Sequence, residues 1–193
     1  MENEEKIRTF EKELNYIYNP NIKKFAEEAI KILPNYFFKA PASSTSRHHP
    51  KFAQGESGLL RHTIAAIKIA VELFRTDLWE LTSDKKDLIL ASLILHDGFK
   101  LGINEEKYTR FDHPLIVCEE LSKNKCLKDL LPEEQFEFII ENIKSHMGKW
   151  RFSKDNKEIM PVPKTVSQKL THLADYLSSR KIIEINFNEE ISR

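Results

Sequence analysis

A chain of 193 residues, 40% of them hydrophobic, can bury one sizeable core, so a single domain is the expectation. Its 30 Lys and Arg balance 30 Asp and Glu, so no global field points to nucleic acid or to an acidic membrane, and any nucleic-acid contact has to be local. Five glycines and eight prolines in a Leu-, Ile-, Lys- and Glu-rich chain favour helices over a sheet sandwich, and the expected fold class is all-α.

Residues 1–19 and 21–33 read as two charged amphipathic helices, separated by Asn19-Pro20-Asn21. The opening residues carry no apolar signal core and no apolar run is long enough to span a bilayer, which predicts a cytoplasmic protein without membrane contact. Pro34 to Glu56 has loop composition, with Ser43, Ser44, Thr45, Ser46, Arg47, His48 and His49 in its middle. From Ser57 the helical period returns: Leu60, Ile64, Ile67, Val71 and Phe74 make one apolar stripe, with His62 beside it. Asp84 is placed to cap the next helix, which is apolar on nearly every side from Leu88 to Leu95 and should be central.

A polar loop over 98–110 leads to a short helix with Asp112 or His113 as its cap and Pro114 in its first turn. Pro132-Glu133-Glu134 opens another helix, whose apolar face of Phe136, Ile139, Ile140 and Ile143 includes His146, and Gly148 ends it. After an irregular stretch over 149–162, Pro163 begins a last helix with Leu170, Leu173, Ala174 and Leu177 inward and Asp175 at the edge. Cys118 and Cys126 form no C-x-x-C pair and read as isolated thiols.

A hydrophobic helix ending in His96-Asp97, with Gly98 after it, is an odd thing to build for packing alone. His62, His113, His146 and Asp175 lie far apart in sequence, each on a helix or at a helix end, and all could meet that pair in one pocket. His62, His96, Asp97 and Asp175 would supply imidazoles and carboxylates for one divalent cation. Asp97, His113 and His146 would hold a second, with Asp97 bridging, and two metals about 3.5–4 Å apart can activate a water and stabilise a phosphoryl displacement. Lys100 would then hold a phosphate oxygen. Taken singly, each residue has a plainer reading: His146 as a core histidine, Asp112-His113 as a helix cap, Lys100 as a solvated lysine. His172 reads as structural, with support of a ligand from behind as its alternative.

In their order along the chain, His62 in Gly58-Leu-Leu-Arg-His-Thr63, His96-Asp97, His113, His146 in Ser-His-Met-Gly148 and Asp175 in Leu-Ala-Asp-Tyr176 resemble the HD-domain superfamily of metal-dependent phosphohydrolases. His113 and His146 are similar to the extra ligands of the two-metal subgroup, many of whose members are phosphodiesterases. His48-His49-Pro50 followed by Ser57-Gly58-Leu59-Leu60-Arg61-His62-Thr63 resembles the HD domain of bacterial 3′–5′ exoribonucleases, over roughly residues 40–180. The interval from His49 to Gly58 is longer than theirs and Ser57 replaces a glycine. Residues 1–39 are two helices too short for an oligonucleotide-binding barrel, which argues against processive degradation.

The resemblance implies an HD-type helical bundle over residues 40–193 with a central metal site, residues 1–39 packing on it as part of one structural domain. It also implies a phosphodiesterase acting on a nucleotide or a single-stranded nucleic-acid end. Asp97 and Lys100 would be catalytic, with Lys100, His49 and Arg47 towards the substrate. The cofactor would be one or two divalent ions, Mn or Fe first, with Mg, Co, Ni or Zn possible because no thiolate narrows the choice. A nucleotidase acting on monoesters and a module that senses a nucleotide or braces a partner without turnover are the rivals, and an oligomer is open. Lys144, Lys149, Arg151 and Lys154, with Trp150 and Phe152 among them, read either as a nucleic-acid contact or as a solvated loop with its aromatics tucked into the core.

Overall fold

The apolar run ahead of His96-Asp97 forms the central helix of the computed structural model, which describes residues 1–44, 49–76, 78–183, 185 and 187. In chain order the helices are α1 (Asn3–Arg8), α2 (Glu11–Leu14), α3 (Pro20–Ile32), α4 (Gly58–Phe74), α5 (Ser83–Leu95), α6 (His113–Lys123), α7 (Lys125–Lys128), α8 (Glu133–Ser145) and α9 (Val166–Ser178). Short 3-10 turns occupy Asn35–Phe38, Lys51–Ala53 and Gly148–Trp150, and no strand occurs among the described residues. The fold is all-α, as the composition predicts. None of these helices is long and apolar enough to cross a membrane.

α5 is central because it has no face to give to water: every residue from Asp87 to Leu95 is buried. α3, α4, α8 and α9 pack around it, and α4 lies along α9. Its buried carboxylate, Asp87, accepts from the backbone N–H groups of Tyr18 (3.1 Å) and Asn19 (2.7 Å), which ties the start of α3 to the start of α5. Asn19 in turn caps α3 by accepting from the N–H groups of Asn21 and Ile22, with Pro20 in the first turn.

The N-terminal segment backs the helix that presents His96-Asp97. Phe25 of α3 meets Phe136 of α8 edge-on, with ring centroids 6.0 Å apart. Leu33 lies so close to Gly98 that a Cβ there would come within 2.6 Å of it. The Tyr36 hydroxyl donates to the Gly102 carbonyl (2.7 Å) and accepts from the Leu101 N–H (3.1 Å), pinning the chain just beyond the His-Asp pair.

Several boundaries differ from the expected ones, each for a local reason. The helix expected over 1–19 is two short helices, because the Thr9 hydroxyl donates to the Lys6 carbonyl and the chain turns there to bury Phe10. Thr82 rather than Asp84 caps α5, and Asp84 instead accepts from the Asn19 side chain. α9 starts at Val166, behind a capping box of Thr165 and Gln168, instead of at Pro163. The stretch from Pro34 is less loop-like than its composition, since Tyr36, Phe37 and Phe38 enter the core. On α4 it is Leu59, Ala66 and Ala70 that join Ile67 and Val71 inside, while Leu60 and Ile64 are half-buried. Leu173 and Leu177 of α9 are likewise half-buried, and its inner face is Leu170, Ala174, Thr171 and Ser178. Cys118 is buried and Cys126 exposed, and both are free thiols.

Candidate metal centre

All six sequence-selected residues meet. Ligand-type atoms of His62, His96, Asp97 and Asp175 lie within 4.8 Å of one another, and so do those of Asp97, His113 and His146. They arrive from five places: the second turn of α4, the end of α5, the start of α6, the end of α8 and the last turns of α9. Asp97 is shared, and its two oxygens face different ways. Oδ2 lies 3.4 Å from His62 Nε2 and 3.5 Å from His96 Nε2, whereas Oδ1 lies 2.8 Å from His113 Nε2 and 3.8 Å from His146 Nε2. Asp175 Oδ1 closes the first group, 3.0 Å from His62 Nε2 and 3.5 Å from His96 Nε2. The site is buried apart from Asp175, whose side chain is 19% exposed and marks its opening.

The bonds behind the rings orient them. Nδ1 of His96, His113 and His146 each faces the backbone carbonyl three residues back, on Leu93 (2.7 Å), Arg110 (2.7 Å) and Ile143 (2.8 Å). A carbonyl only accepts, so Nδ1 carries the proton and Nε2 of the neutral ring presents a lone pair inward. His62 reaches the same tautomer by another route. The Ser178 hydroxyl donates to the Asp175 carbonyl (2.7 Å), so its oxygen accepts from His62 Nδ1 (3.0 Å). Ser178 went unnoticed in the sequence. The signal for it was its place three residues after Asp175, on the same face of a helix.

With these rings neutral, four imidazole lone pairs and two carboxylates face one another in a buried pocket. Nε2 of His62 and of His96 is buried without an aligned hydrogen bond, and His113 Nε2 stands 3.3 Å from His146 Nε2. Acceptors this close repel unless positive charge lies among them. Burial opposes ionisation of Asp97, yet Lys100 and the surrounding histidines hold its carboxyl well below the usual range. Burial opposes it at Asp175 too, where His62 and His96 prevail. His96 is raised despite its burial, by the charge of Asp97 and its contact with Asp175. His146, desolvated and beside His96, is lowered to about 3. Hard carboxylate oxygens mixed with oriented imidazole nitrogens fit one or two divalent cations.

Lys100 sets its ammonium on Asp97 Oδ2 and lines a cleft of about 380 Å³ with His49, Ala42, Ser43, Ser44, Tyr108 and Thr109. His49 is half-buried with its ring centroid 5.4 Å from that of His62, and its Nδ1 has no hydrogen-bond partner. Burial, then the nearby His62 and Lys100, lower its pKa to about 3, so it meets the cleft as a neutral imidazole. Arg47 lies outside the described residues. His172 is not among the ligands: its Nδ1 donates to the His146 carbonyl (2.6 Å), the supporting place that was its alternative reading. Gly148, at φ +56°, lies against that ring, and a Cβ there would come within 2.3 Å of it. Gly148→Ala is expected to lower stability by roughly 1–2 kcal/mol from the left-handed backbone alone, and by more through the displaced ring. In a double-mutant cycle read by thermal melts, His172→Ala should remove the second part of the loss, and strict additivity would refute the packing account.

No curated protein and no solved structure matches this chain. A family model described as the HD domain matches residues 59–180, a span that runs from the helix carrying His62 to just beyond Asp175 and takes in all six converging residues. With more than half of its length in that match, the chain belongs to the HD-domain family, a family of metal-dependent phosphohydrolases.

Proposed function

We propose that this protein is a two-metal phosphodiesterase that hydrolyses a nucleotide or the 3′ end of a single-stranded nucleic acid. The observation that carries the reading is Asp97, whose two oxygens each face a different set of histidines, which is how a carboxylate shared by two cations must stand. His62, His96, Asp97 and Asp175 would hold one ion, and Asp97, His113 and His146 the other. Bound there, divalent ions would lower the pKa of water and neutralise the charge that builds on a phosphoryl group under attack.

The chain's own residues do the rest. The carbonyls of Leu93, Arg110 and Ile143, with Ser178, keep four imidazoles aimed before any ligand arrives, so little reorganisation is left for binding. Lys100 sits between Asp97 and the cleft, where its ammonium can pass from the carboxylate to a non-bridging phosphate oxygen. His49 lines the same cleft with a neutral ring, placed to meet the substrate. An imidazole and carboxylate set without thiolate suits manganese, iron, cobalt, nickel or zinc, and the resemblance to the superfamily puts manganese or iron first.

A panel of p-nitrophenyl phosphate, bis(p-nitrophenyl) phosphate, nucleotides and a 3′-labelled oligonucleotide, each with added Mn, Fe, Mg, Co, Ni or Zn, tests this. Diester turnover exceeding monoester turnover supports it. Monoesters alone would make the protein a nucleotidase, and nucleotide binding without turnover in any metal would make it a sensing module. His146→Ala should bring bound metal from two ions per chain down to one, measured by plasma emission, and an unchanged count would argue for a four-ligand site.

A further inference from the structure

Trp150 is 41% exposed, yet it is not a loose side chain. Its ring stacks on Tyr176, with centroids 5.7 Å apart and planes 23° from parallel, and the Arg180 guanidinium lies over Tyr176 at 4.4 Å. This stack is joined to the metal centre twice. Tyr176 directly follows Asp175, and His172, whose ring approaches both aromatics (6.5 and 6.2 Å), donates to the carbonyl of His146. Phe152, by contrast, is half-buried under the Arg151 guanidinium, and Arg151 is engaged by Glu158.

Over Trp150 lies the Lys149 ammonium, 4.7 Å from the ring centroid and on an exposed, flexible stem. Lys149, Lys154 and Lys157 outnumber Asp155 and Glu158 along this loop, and Arg180 adds a further cation over Tyr176. A rigid indole with a cationic surround suits a flat, uncharged ring attached to a phosphate. Every nucleobase has such a face, and stacking on an aromatic holds it with little regard to sequence.

We propose that Trp150, backed by Tyr176, is the platform on which a base of the substrate stacks, with Lys149 moving off the ring to the adjoining phosphate. The inference rests on the reading of the site as a phosphodiesterase for nucleotides or single-stranded ends, and it assigns that substrate its base contact. The test is binding by the full chain in EDTA, so that neither turnover nor metal enters the reading. Two probes are compared: a short fluorescent oligothymidylate and an abasic strand of the same length and charge. The base-bearing strand should bind about tenfold more tightly. Trp150→Ala should bring the two strands level, and Trp150→Phe should keep most of the preference, with circular dichroism confirming the fold of each variant. Equal binding of both strands by the unmodified chain, or a preference that survives Trp150→Ala, overturns the proposal. Because the comparison is made without turnover, a failed hydrolysis panel and a failed platform are told apart.

Discussion

Asp97→Ala abolishes both metal loading and hydrolysis in the expected experiment, while leaving the helical circular dichroism spectrum near that of the native chain. The loss should be about a thousandfold or more in turnover of bis(p-nitrophenyl) phosphate, because several kcal/mol of charge stabilisation at phosphorus depends on both ions being held. Removing any one histidine damages one group of ligands, but Asp97 belongs to both. The fold should survive the change. Lys100, the strongest cationic neighbour of Asp97, lies near the cleft and can turn its ammonium to water, and the surrounding imidazoles can remain neutral. A second readout separates loss of metal from loss of structure: added Mn should raise the melting temperature of the native chain and leave that of Asp97→Ala unmoved. Undiminished hydrolysis by the variant would end the metal-centred account.

Phe25→Ala carries the largest expected loss of stability, about 3–5 kcal/mol for emptying a fully buried aromatic site. Phe25 stands on α3 and meets Phe136 of α8 edge-on, and α3 packs against α5, the helix that ends in His96-Asp97. If residues 1–39 and the remainder unfold as one, the single calorimetric transition should fall by on the order of 10 °C with its shape unchanged. At low temperature, with metal present, the folded variant should still hydrolyse substrate, because no ligand has been altered. A separate early transition, with the main one unmoved, would show that the N-terminal helices melt as a unit of their own.

The residues of the site could be read from the chain more readily than the bonds that aim them. His96-Asp97 stood out because an apolar helix has no packing reason to end in two ligands, and His62, His146 and Asp175 because they break or border apolar stripes. What could not be read was why the imidazoles point as they do. Three use the backbone carbonyl three residues back, a bond available to any histidine at such a bend and so without a mark in the sequence. The fourth depends on Ser178, a residue too common on helices to attract notice.

The helices followed the same division. α8 was legible because hydrophobic spacing of 3.6 residues is set within a single element, and α5 because an unbroken apolar run is. The break at Thr9, the exchange of Asp84 for Thr82 as cap and the burial of Tyr36, Phe37 and Phe38 were not. Each depends on what another segment offers: a pocket for Phe10, the side chain of Asn19, the open carbonyl of Gly102.

Local pattern thus sufficed for the helical class and for the six residues that converge, since amphipathic period and residue chemistry are carried by the chain itself. Only the folded molecule decided that Asp97 turns one oxygen to each set of histidines, that Lys100 stands between it and an open cleft, and that Trp150 stacks on Tyr176. Those are distances between atoms mostly far apart in sequence, and they come into being when α4, α6, α8 and α9 close around the end of α5 and bury the side chains between them.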